Sequence, residues 1–295
     1  MKTNILFISY ADSLEGWVQV KTLEKSLRRF GGEIGHSPML VYDVLGEGIP
    51  DDFTFLEDVE VRKLNVPAGI RNYLFASKVS AMAQTEADHP DHSQTLAWID
   101  PACLILKPPR AYGLDENTDA AFRPVHIQNI GLKVGDPLDD YWKRIYRACG
   151  VDEINTTVDS FVDGQTLRTY FNTHAFSIQP AIGLMNLWLE VFTRLVLDRD
   201  FQTSCCQDIR HQVFLFQAIL STLLVREVTP DRLRILPPSY NYPYNLQSSI
   251  PMEKRISPMG NLVSLTYEGK TLDPDQITDI DLPAPYYDFL KQTVH

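Results

Sequence analysis

Apolar positions recur with two different periods along the first hundred residues. Short apolar runs bounded by turn residues predict strands over 4–9, 38–43, 59–66 and 95–100. Apolar side chains at helical spacing predict helices over 15–30 and 72–87, the first ended by Gly31 and Gly32. This order of strands and helices indicates an α/β fold.

The rest of the chain continues the pattern with longer helices. Amphipathic stretches predict helices over 138–150, 181–200 and 207–225. Strands are predicted over 119–125 and 169–180, at the start of 232–245, and over 261–267. Residues 281–290 are expected to pack back on the body of the protein. Because no linker divides the chain, we predict one domain, 1–295, with two lobes, 1–110 and 111–295.

Composition narrows the classes of function. The formal net charge is −11 and no basic cluster occurs, so no nucleic-acid partner is expected. No apolar run approaches the ~20 residues of a membrane helix, so no membrane span is expected. The four cysteines form no C-x-x-C pair, which fits a reducing compartment and predicts a cytoplasmic protein. Neither a phosphate-binding G-x-x-x-x-G-K-[ST] loop nor a G-x-S-x-G elbow is present.

One carboxylate interrupts the most apolar stretch of the sequence. In "LAWIDPACLIL", residues 96–106, Asp100 ends one apolar run and Pro101 precedes the next. A buried unpaired carboxylate is costly, so Asp100 needs a partner, a metal or an exposed edge. It caps the following turn, or it lies in a binding site at the carboxyl end of the strand, where open α/β sheets bind ligands.

Four segments, taken in order, carry a family resemblance. They are "FASKVSAMAQ…TLAWIDPACLILKPP", "AAFRP", "TYFNTHAFSIQP" and "HQVFLFQAIL…ILPPSYNYP". Together they resemble the GT-A glycosyltransferases, in particular the branch of glycogenin-like and bacterial galactosyl-transferring enzymes. The resemblance implies a mixed, mostly parallel twisted sheet flanked by helices. It also implies transfer of a sugar from a nucleotide-diphospho-sugar to an unknown acceptor, with residues 1–110 as the nucleotide-binding lobe and 111–295 on the acceptor side.

The resemblance implies two sets of site residues. The candidates for binding the nucleotide sugar are Ser9, Tyr10, Asp12, Arg71, Lys78, Asp100, Asn172, Thr173 and His174. His174 stands where the family usually has glycine. The family's Asp-Gln pair beside the reacting carbon corresponds to His211 and Gln212, with Asp208 one turn earlier, and these three are the candidate catalytic residues. The alternative for each of them is an ordinary polar loop, surface or helix residue.

The metal-binding motif of the family is degenerate in this chain. Family members hold Mn²⁺ or Mg²⁺ with an Asp-x-Asp motif and often a late histidine. Here Asp100 remains, the second carboxylate is replaced by Ala102, and the late segment offers Leu265 and Thr266. One carboxylate is a poor ligand set for a hard cation, so weak or absent metal binding is expected.

That degeneracy leaves three interpretations. Cations such as Arg71, Lys78, Arg123 or Lys270 neutralise the leaving group. Metal binds through other residues. Or catalysis has been lost, and the protein is a non-catalytic binding or scaffold module with a GT-A fold.

Overall fold

The computed structural model describes residues 4–50, 53–55, 58–90 and 94–293. Its central feature is a seven-stranded sheet. In chain order, the strands of this sheet are β1 (Ile5–Ala11), β2 (Met39–Asp43), β3 (Val59–Lys63), β4 (Thr95–Ile99), β6 (Ala120–Pro124), β9 (Phe171–Ile178) and β10 (Leu233–Ile235). They lie in the order β10-β6-β9-β4-β1-β2-β3.

The sheet is parallel except for one strand. β9 runs antiparallel to both of its neighbours, β4 and β6, while every other pairing is parallel. The predicted mixed, mostly parallel sheet is therefore confirmed. Because six strands point the same way, the carboxyl ends of β1, β4 and β6 share one edge with the amino half of β9. In an open α/β sheet that edge is where ligands bind.

Helices cover both faces of the sheet. They are α1 (Leu14–Phe30), α2 (Ala76–Asp88), α3 (Asp140–Cys149), α4 (Leu184–Leu197), α5 (Arg199–Cys205), α6 (Ile209–Val213), α7 (Leu215–Glu227) and α8 (Ala284–Thr293). Leu6 and Ile8 of β1 contribute to the core with α2, α3, α4 and α7, whereas Ile5 and Phe7 contribute to the core with α1. This alternation follows from the two-residue period of a strand.

Smaller elements complete the edge that carries the site. β5 (Cys103–Ile105), β11 (Tyr242–Pro243) and β12 (Ser264–Thr266) form a three-stranded sheet, and β7 (Thr157–Asp159) pairs with β8 (Thr166–Arg168). The tail folds back as predicted, since Phe289 and Leu290 of α8 are buried in a third core cluster. None of the described helices combines the length and apolarity that crossing a bilayer requires.

Two long predicted helices are each broken in the structure. The stretch 181–200 is divided at Asp198, whose side chain accepts a hydrogen bond from the N–H of Phe201 and so caps α5. The stretch 207–225 is divided at Phe214 into α6 and α7. Residues 72–75 lie outside α2, because Phe75 adopts a left-handed backbone conformation with φ of 62°. The division of the domain into two functional lobes stays a prediction.

Glu86 ties two helices together inside the first core. It is buried in α2, and its carboxylate accepts hydrogen bonds from the N–H groups of Met185 and Asn186 at 2.9 and 2.8 Å. The Asn186 Nδ2 donates to the same carboxylate at 2.7 Å. The two backbone N–H groups belong to the first turn of α4, where backbone N–H groups have no partner within the helix and favour a nearby negative charge.

Replacing Glu86 with alanine should lower the free energy of unfolding by about 2–4 kcal/mol, because buried N–H donors then lose their acceptor. Urea denaturation followed by circular dichroism measures the loss. Glu190→Ala, on the exposed side of α4, is the matched control and should change stability by less than about 0.5 kcal/mol. Equal losses for the two variants would contradict this role of Glu86.

Candidate active site

An ion pair forms the floor of the site. Asp100 follows the last residue of β4, and its N–H donates to the carbonyl of His174 in β9 at 2.7 Å. Lys78 reaches it from α2, with Nζ at 2.7 Å from Oδ1 and 2.8 Å from Oδ2. The indole N–H of Trp98 also donates to Oδ1 at 2.7 Å. Asp100 therefore has its buried charge balanced by Lys78.

Aromatic rings enclose the ammonium group of Lys78. Nζ lies 5.2–5.5 Å from the ring centroids of Phe75, Trp98 and Phe216. It also donates to the carbonyl of Thr173 at 3.3 Å, and the side chain is 1% exposed. Cation–π attraction and hydrogen bonds together offset the cost of burying this charge. Lys78 is thus fixed in place.

Two adjoining hollows open above this ion pair, each of about 280 Å³. The first, here the loop hollow, is lined by Tyr10, Asp12, Ser13, Gly16, Ala102 and Gly269. The second, here the amide hollow, is lined by Lys78, His126, Asn172, Thr173, Gln217 and Asn245. Phe75, Asp100, His174 and Glu268 line both. The two hollows together form one cleft at the carboxyl ends of β1 and β4.

The end of β1 and the loop that follows it build one wall of the loop hollow. The ring of Tyr10 stacks on Trp98 with 5.7 Å between centroids, and burial together with the charge of Asp100 raises the pKa of its hydroxyl. Asp12 is exposed, and its carboxylate accepts a hydrogen bond from Ser13, the residue that caps α1. Ser9 is buried in β1 and lines neither hollow.

The amide hollow combines apolar walls with polar groups. Thr173 donates to Gln217 Oε1 at 3.2 Å, while Gln217 Nε2 has no acceptor among the described residues. His126 is 5% exposed, and neither ring nitrogen has a hydrogen-bond partner in the described part of the chain. Burial, reinforced by the charge of Arg123, holds the pKa of His126 well below its usual range. His126 is therefore neutral at physiological pH.

Three non-glycine residues with positive φ surround the cleft. Phe75 and Asn129 line it, with φ of 62° and 47°, and Asn241 beside it has φ of 46°. Such backbone conformations are strained and persist where surrounding structure enforces them, most often at functional sites. In Phe75 this conformation accompanies stacking of the ring on Phe216, with 4.3 Å between centroids.

His174 lies at the boundary of the two hollows within a hydrogen-bond network. Its Nδ1 is 3.0 Å from Asn172 Oδ1, which also accepts from the His174 N–H and from Asn241 Nδ2. Its Nε2 is 3.4 Å from Glu268 Oε2. This hydrogen bond lowers the pKa of the Glu268 carboxyl below its ordinary value. The imidazole ring of His174, with the Glu268 carboxylate beside it, therefore lies where the two hollows meet.

The structure brings together most of the nucleotide-sugar candidates and separates the catalytic ones from them. Arg71 is exposed in the turns before α2 and lines neither hollow. His211 packs its ring on Tyr141, and Gln212 donates to the carbonyl of Cys206 at 2.7 Å. Asp208 caps α6.

The roles proposed for these residues stay predictions. None of His211, Gln212 and Asp208 lines the cleft as the structure presents it. Hydrogen bonds from Arg210 lower the pKa of Asp208 to about 2, so its carboxylate remains ionised. The two other cations from the sequence, Arg123 and Lys270, point to backbone carbonyls and to Asp279 respectively.

The residues present do not fit a divalent cation. Both oxygens of Asp100 already accept from Lys78, and Ala102 and Thr266 bring no carboxylate or imidazole. Among the described residues, no group of three or more His, Cys, Asp or Glu side chains is placed to hold a metal ion. Hard cations take six or more oxygen ligands, and an ammonium group within 3 Å of the carboxylate opposes their binding.

Several residues of the cleft had not been singled out from the sequence, among them His126, Gln217, Asn245 and Glu268. Gln217 carried a weak signal, since it is a polar residue in a largely buried helix. His126 and Glu268 lie in loops and Asn245 lies in a short 3₁₀ helix, where no periodic pattern marks a residue as facing a site.

A larger hollow of about 420 Å³ lies at the opposite edge of the sheet, lined by Pro38, Met39, Glu60, Arg62 and His89. Its cation, Arg62, is paired with Glu60 and Asp88. This hollow is at the amino ends of β1 and β2, away from the edge where such sheets bind ligands. The cleft above Asp100 is therefore the better candidate.

Comparison with solved structures identifies the architecture. The galactosyltransferase LgtC, solved in complex with donor and acceptor sugar analogues, superimposes with a TM-score of 0.52 at 11% identity, covering 97% of this chain and 95% of LgtC. The chain has the fold of a GT-A glycosyltransferase. The bifunctional glycosyltransferase WbbM matches with a TM-score of 0.51 at 12% identity, over 100% of this chain and 50% of WbbM.

A third GT-A structure extends the comparison. GlyE of Streptococcus pneumoniae TIGR4 also has a TM-score of 0.51 at 12% identity, over 96% of this chain and 59% of GlyE. No family model and no curated protein matches the sequence. The GT-A resemblance seen in the sequence is thus confirmed at the level of the fold.

Removing either charge of the ion pair should destabilise the protein strongly. Lys78→Met and Asp100→Asn should each lower the free energy of unfolding by about 3–5 kcal/mol, because each leaves a buried group without its partner. The double variant should lose about 1–3 kcal/mol less than the sum of the two. Urea denaturation of the four proteins measures the coupling.

The Lys143→Met variant is the control, because it removes the cation of an exposed ion pair. Lys143 lies 3.4 Å from Asp140 on the surface of α3. Its removal should change stability by less than about 0.5 kcal/mol. Strictly additive losses for the Lys78 and Asp100 variants would show that their charges are not coupled.

Proposed function

We propose that the protein binds a nucleotide-diphospho-sugar and transfers the sugar to an acceptor without an Asp-x-Asp metal. The observation that carries this proposal is the two-part cleft at the carboxyl ends of β1 and β4. Its two hollows share Asp100 and His174, and each has about 280 Å³. A ligand made of two unlike parts joined by a short linker matches that shape.

The loop hollow is the proposed place of the nucleotide. Tyr10 offers a ring held by Trp98, and Asp12 offers an exposed carboxylate that accepts hydrogen bonds from ribose hydroxyls. Gly16 keeps the first turn of α1 open, since a Cβ there would lie 3.2 Å from the Asp12 carboxylate. Tyr10 and Asp12 belong to the segment that the family resemblance implies for binding the nucleotide.

The amide hollow is the proposed place of the sugar. A pyranose has an apolar ring face and a rim of hydroxyls, which require an apolar wall and convergent polar groups. Phe75 and Phe216 supply the wall, while Asn172, Gln217 and Asn245 supply the amides. The neutral His126 adds ring nitrogens without forming a competing ion pair.

The boundary between the hollows is the proposed place of the diphosphate. When the bond from the sugar carbon to the phosphate oxygen breaks, the electron pair stays on that oxygen and the acceptor oxygen forms the new bond to the sugar carbon. The proton of the acceptor hydroxyl passes to the departing phosphate or to solvent. Fixed positive groups that face the developing charge lower the barrier. Lys78 supplies a fixed positive charge below the boundary, and the ring of His174 lies at the boundary itself.

A second candidate function is that of a non-catalytic module that binds a nucleotide sugar. Specific observations favour it. Lys78 is already neutralised by Asp100, and the three residues assigned to catalysis from the sequence line neither hollow. Such a protein would retain the cleft and bind a donor without turning it over.

Calorimetry with UDP- and GDP-sugars tests donor binding. We expect at least one donor to bind, with an affinity that differs by less than about twofold between Mn²⁺ and EDTA, because the cleft offers no ligand set for the ion. The bare sugars serve as controls. A folded protein that binds no donor of the panel would contradict both candidate functions.

Substitutions of two glutamines test whether the sugar contacts Gln217 in the amide hollow or Gln212, as the family resemblance implies. Gln217→Ala should weaken donor binding by about tenfold, the cost of losing about one hydrogen bond from a buried amide. Gln212→Ala should weaken it markedly less, because the Gln212 amide donates to Cys206. Gln84→Ala, at a half-buried position of α2 that lines neither hollow, is the control. If Gln212→Ala weakens donor binding more than Gln217→Ala does, Gln212 belongs to the sugar site.

Turnover separates the two candidate functions. Product analysis by mass spectrometry, with the tightest-binding donor and a panel of sugar acceptors, should reveal transfer or slow hydrolysis of the donor. Activity that is unaffected by EDTA and is abolished by Asp100→Asn, in variant protein that circular dichroism shows to be folded, supports the enzyme. Tight donor binding without any turnover supports the non-catalytic module.

A further inference from the structure

A buried arginine outside the cleft has no acidic partner among the residues that the structure describes. Arg123 lies near the carboxyl end of β6 and is 2% exposed. Its Nη1 donates to the backbone carbonyls of Pro238, Tyr240 and Asn241 at 3.1, 2.7 and 2.8 Å. Its Nη2 is equally covered and has no acceptor in the described part of the chain.

The environment of this guanidinium disfavours its charge. Burial lowers the pKa of Arg123 to about 9, and the neighbours that partly offset this effect are Tyr112 and Tyr242 rather than carboxylates of the described residues. A buried cation is normally paired with an anion, because its desolvation is otherwise uncompensated. None of the described residues supplies an anion to Arg123, so a bound anion would satisfy that rule.

A cavity of about 240 Å³ adjoins Arg123 and contains a second cation. Its lining includes Arg123, Lys254, Asp159, Phe161, Ile235 and Pro238. Both cations lie near the Phe161 ring, with Arg123 Cζ at 4.5 Å and Lys254 Nζ at 6.0 Å from its centroid. The ammonium of Lys254 donates to the Phe161 carbonyl at 3.0 Å, which leaves it further N–H groups for a ligand.

We propose that this cavity binds an oxyanion, a phosphate or carboxylate group, between Arg123 and Lys254. The arginine supplies planar N–H donors and the lysine a mobile point charge, a combination suited to such groups. The walls formed by Phe161, Ile235 and Pro238 are apolar, so the cavity also accommodates the organic part of a ligand that carries the oxyanion. The site is separate from the cleft, and it does not depend on the proposed function.

Replacing Asp159 provides a test in which oxyanion binding is expected to become stronger. It lines the same cavity, is exposed, and accepts a hydrogen bond from Thr166 at 2.6 Å. Its negative charge opposes an incoming oxyanion, whereas asparagine keeps a carbonyl oxygen for Thr166 and removes the charge. Removing this acid should therefore strengthen binding, an effect that loss of structure does not produce.

The experiment titrates the full chain with inorganic phosphate by calorimetry at constant ionic strength, with chloride as the balancing ion. We expect saturable binding by the wild-type protein. Lys254→Met should weaken it by about fivefold or more, and Asp159→Asn should strengthen it by about twofold or more. Lys143→Met, which removes an exposed lysine on α3, should leave it unchanged.

Arg123→Met is a supporting variant, because it also removes three hydrogen bonds to backbone carbonyls and so endangers folding. A second arm uses phenyl phosphate. Tighter binding of phenyl phosphate than of inorganic phosphate supports an organic ligand, and equal binding supports a free oxyanion. Absence of saturable binding of either compound, or equal affinities in the wild-type protein and in the Lys254→Met and Asp159→Asn variants, overturns the proposal.

Discussion

The ion pair between Lys78 and Asp100 is the constraint on which the rest of the site depends. It joins α2 to the end of β4, and through the Thr173 carbonyl it reaches β9. The aromatic rings around it exclude water from the ammonium group and also form the wall of the cleft. Removing either charge therefore alters the packing of the cleft as well as its electrostatics, and the same pairing makes Asp100 a poor ligand for a hard cation.

The two hollows of the cleft around that ion pair differ in charge. The loop hollow is lined by the carboxylates of Asp12 and Glu15 and shares those of Asp100 and Glu268 with the amide hollow. The rest of the amide hollow is mainly uncharged, with amides, a threonine hydroxyl and the neutral His126. A surface of this kind discriminates by the positions of hydroxyl groups rather than by net charge. The net charge of −11 makes local cations the more important wherever an anionic ligand has to be held.

The sequence predicts the fold better than the site, for physical reasons. Strands buried on both faces have continuous apolar runs, so β1, β2 and β4 are clear from residue type, and Asp100 is conspicuous because it interrupts such a run. Lys78, Asn172, Thr173 and His174 converge with Asp100 because the strand order, implied by the resemblance, brings their elements together. Gln212 does not converge with them, because the predicted helix is broken at Phe214 and Gln217, beyond the break, lines the cleft instead. The apolar pattern of the sequence carries no signal of this break.

The network around Asn172 fixes the orientation of its side-chain amide. Its Oδ1 accepts from the backbone N–H of His174 and from Asn241 Nδ2, and it lies 3.0 Å from the ring Nδ1 of His174, so the amide cannot rotate without losing these contacts. Since the backbone carbonyl of Asn241 accepts from Arg123, these contacts continue to an arginine that lines neither hollow. The orientation of a polar group in the cleft therefore depends on a residue outside it.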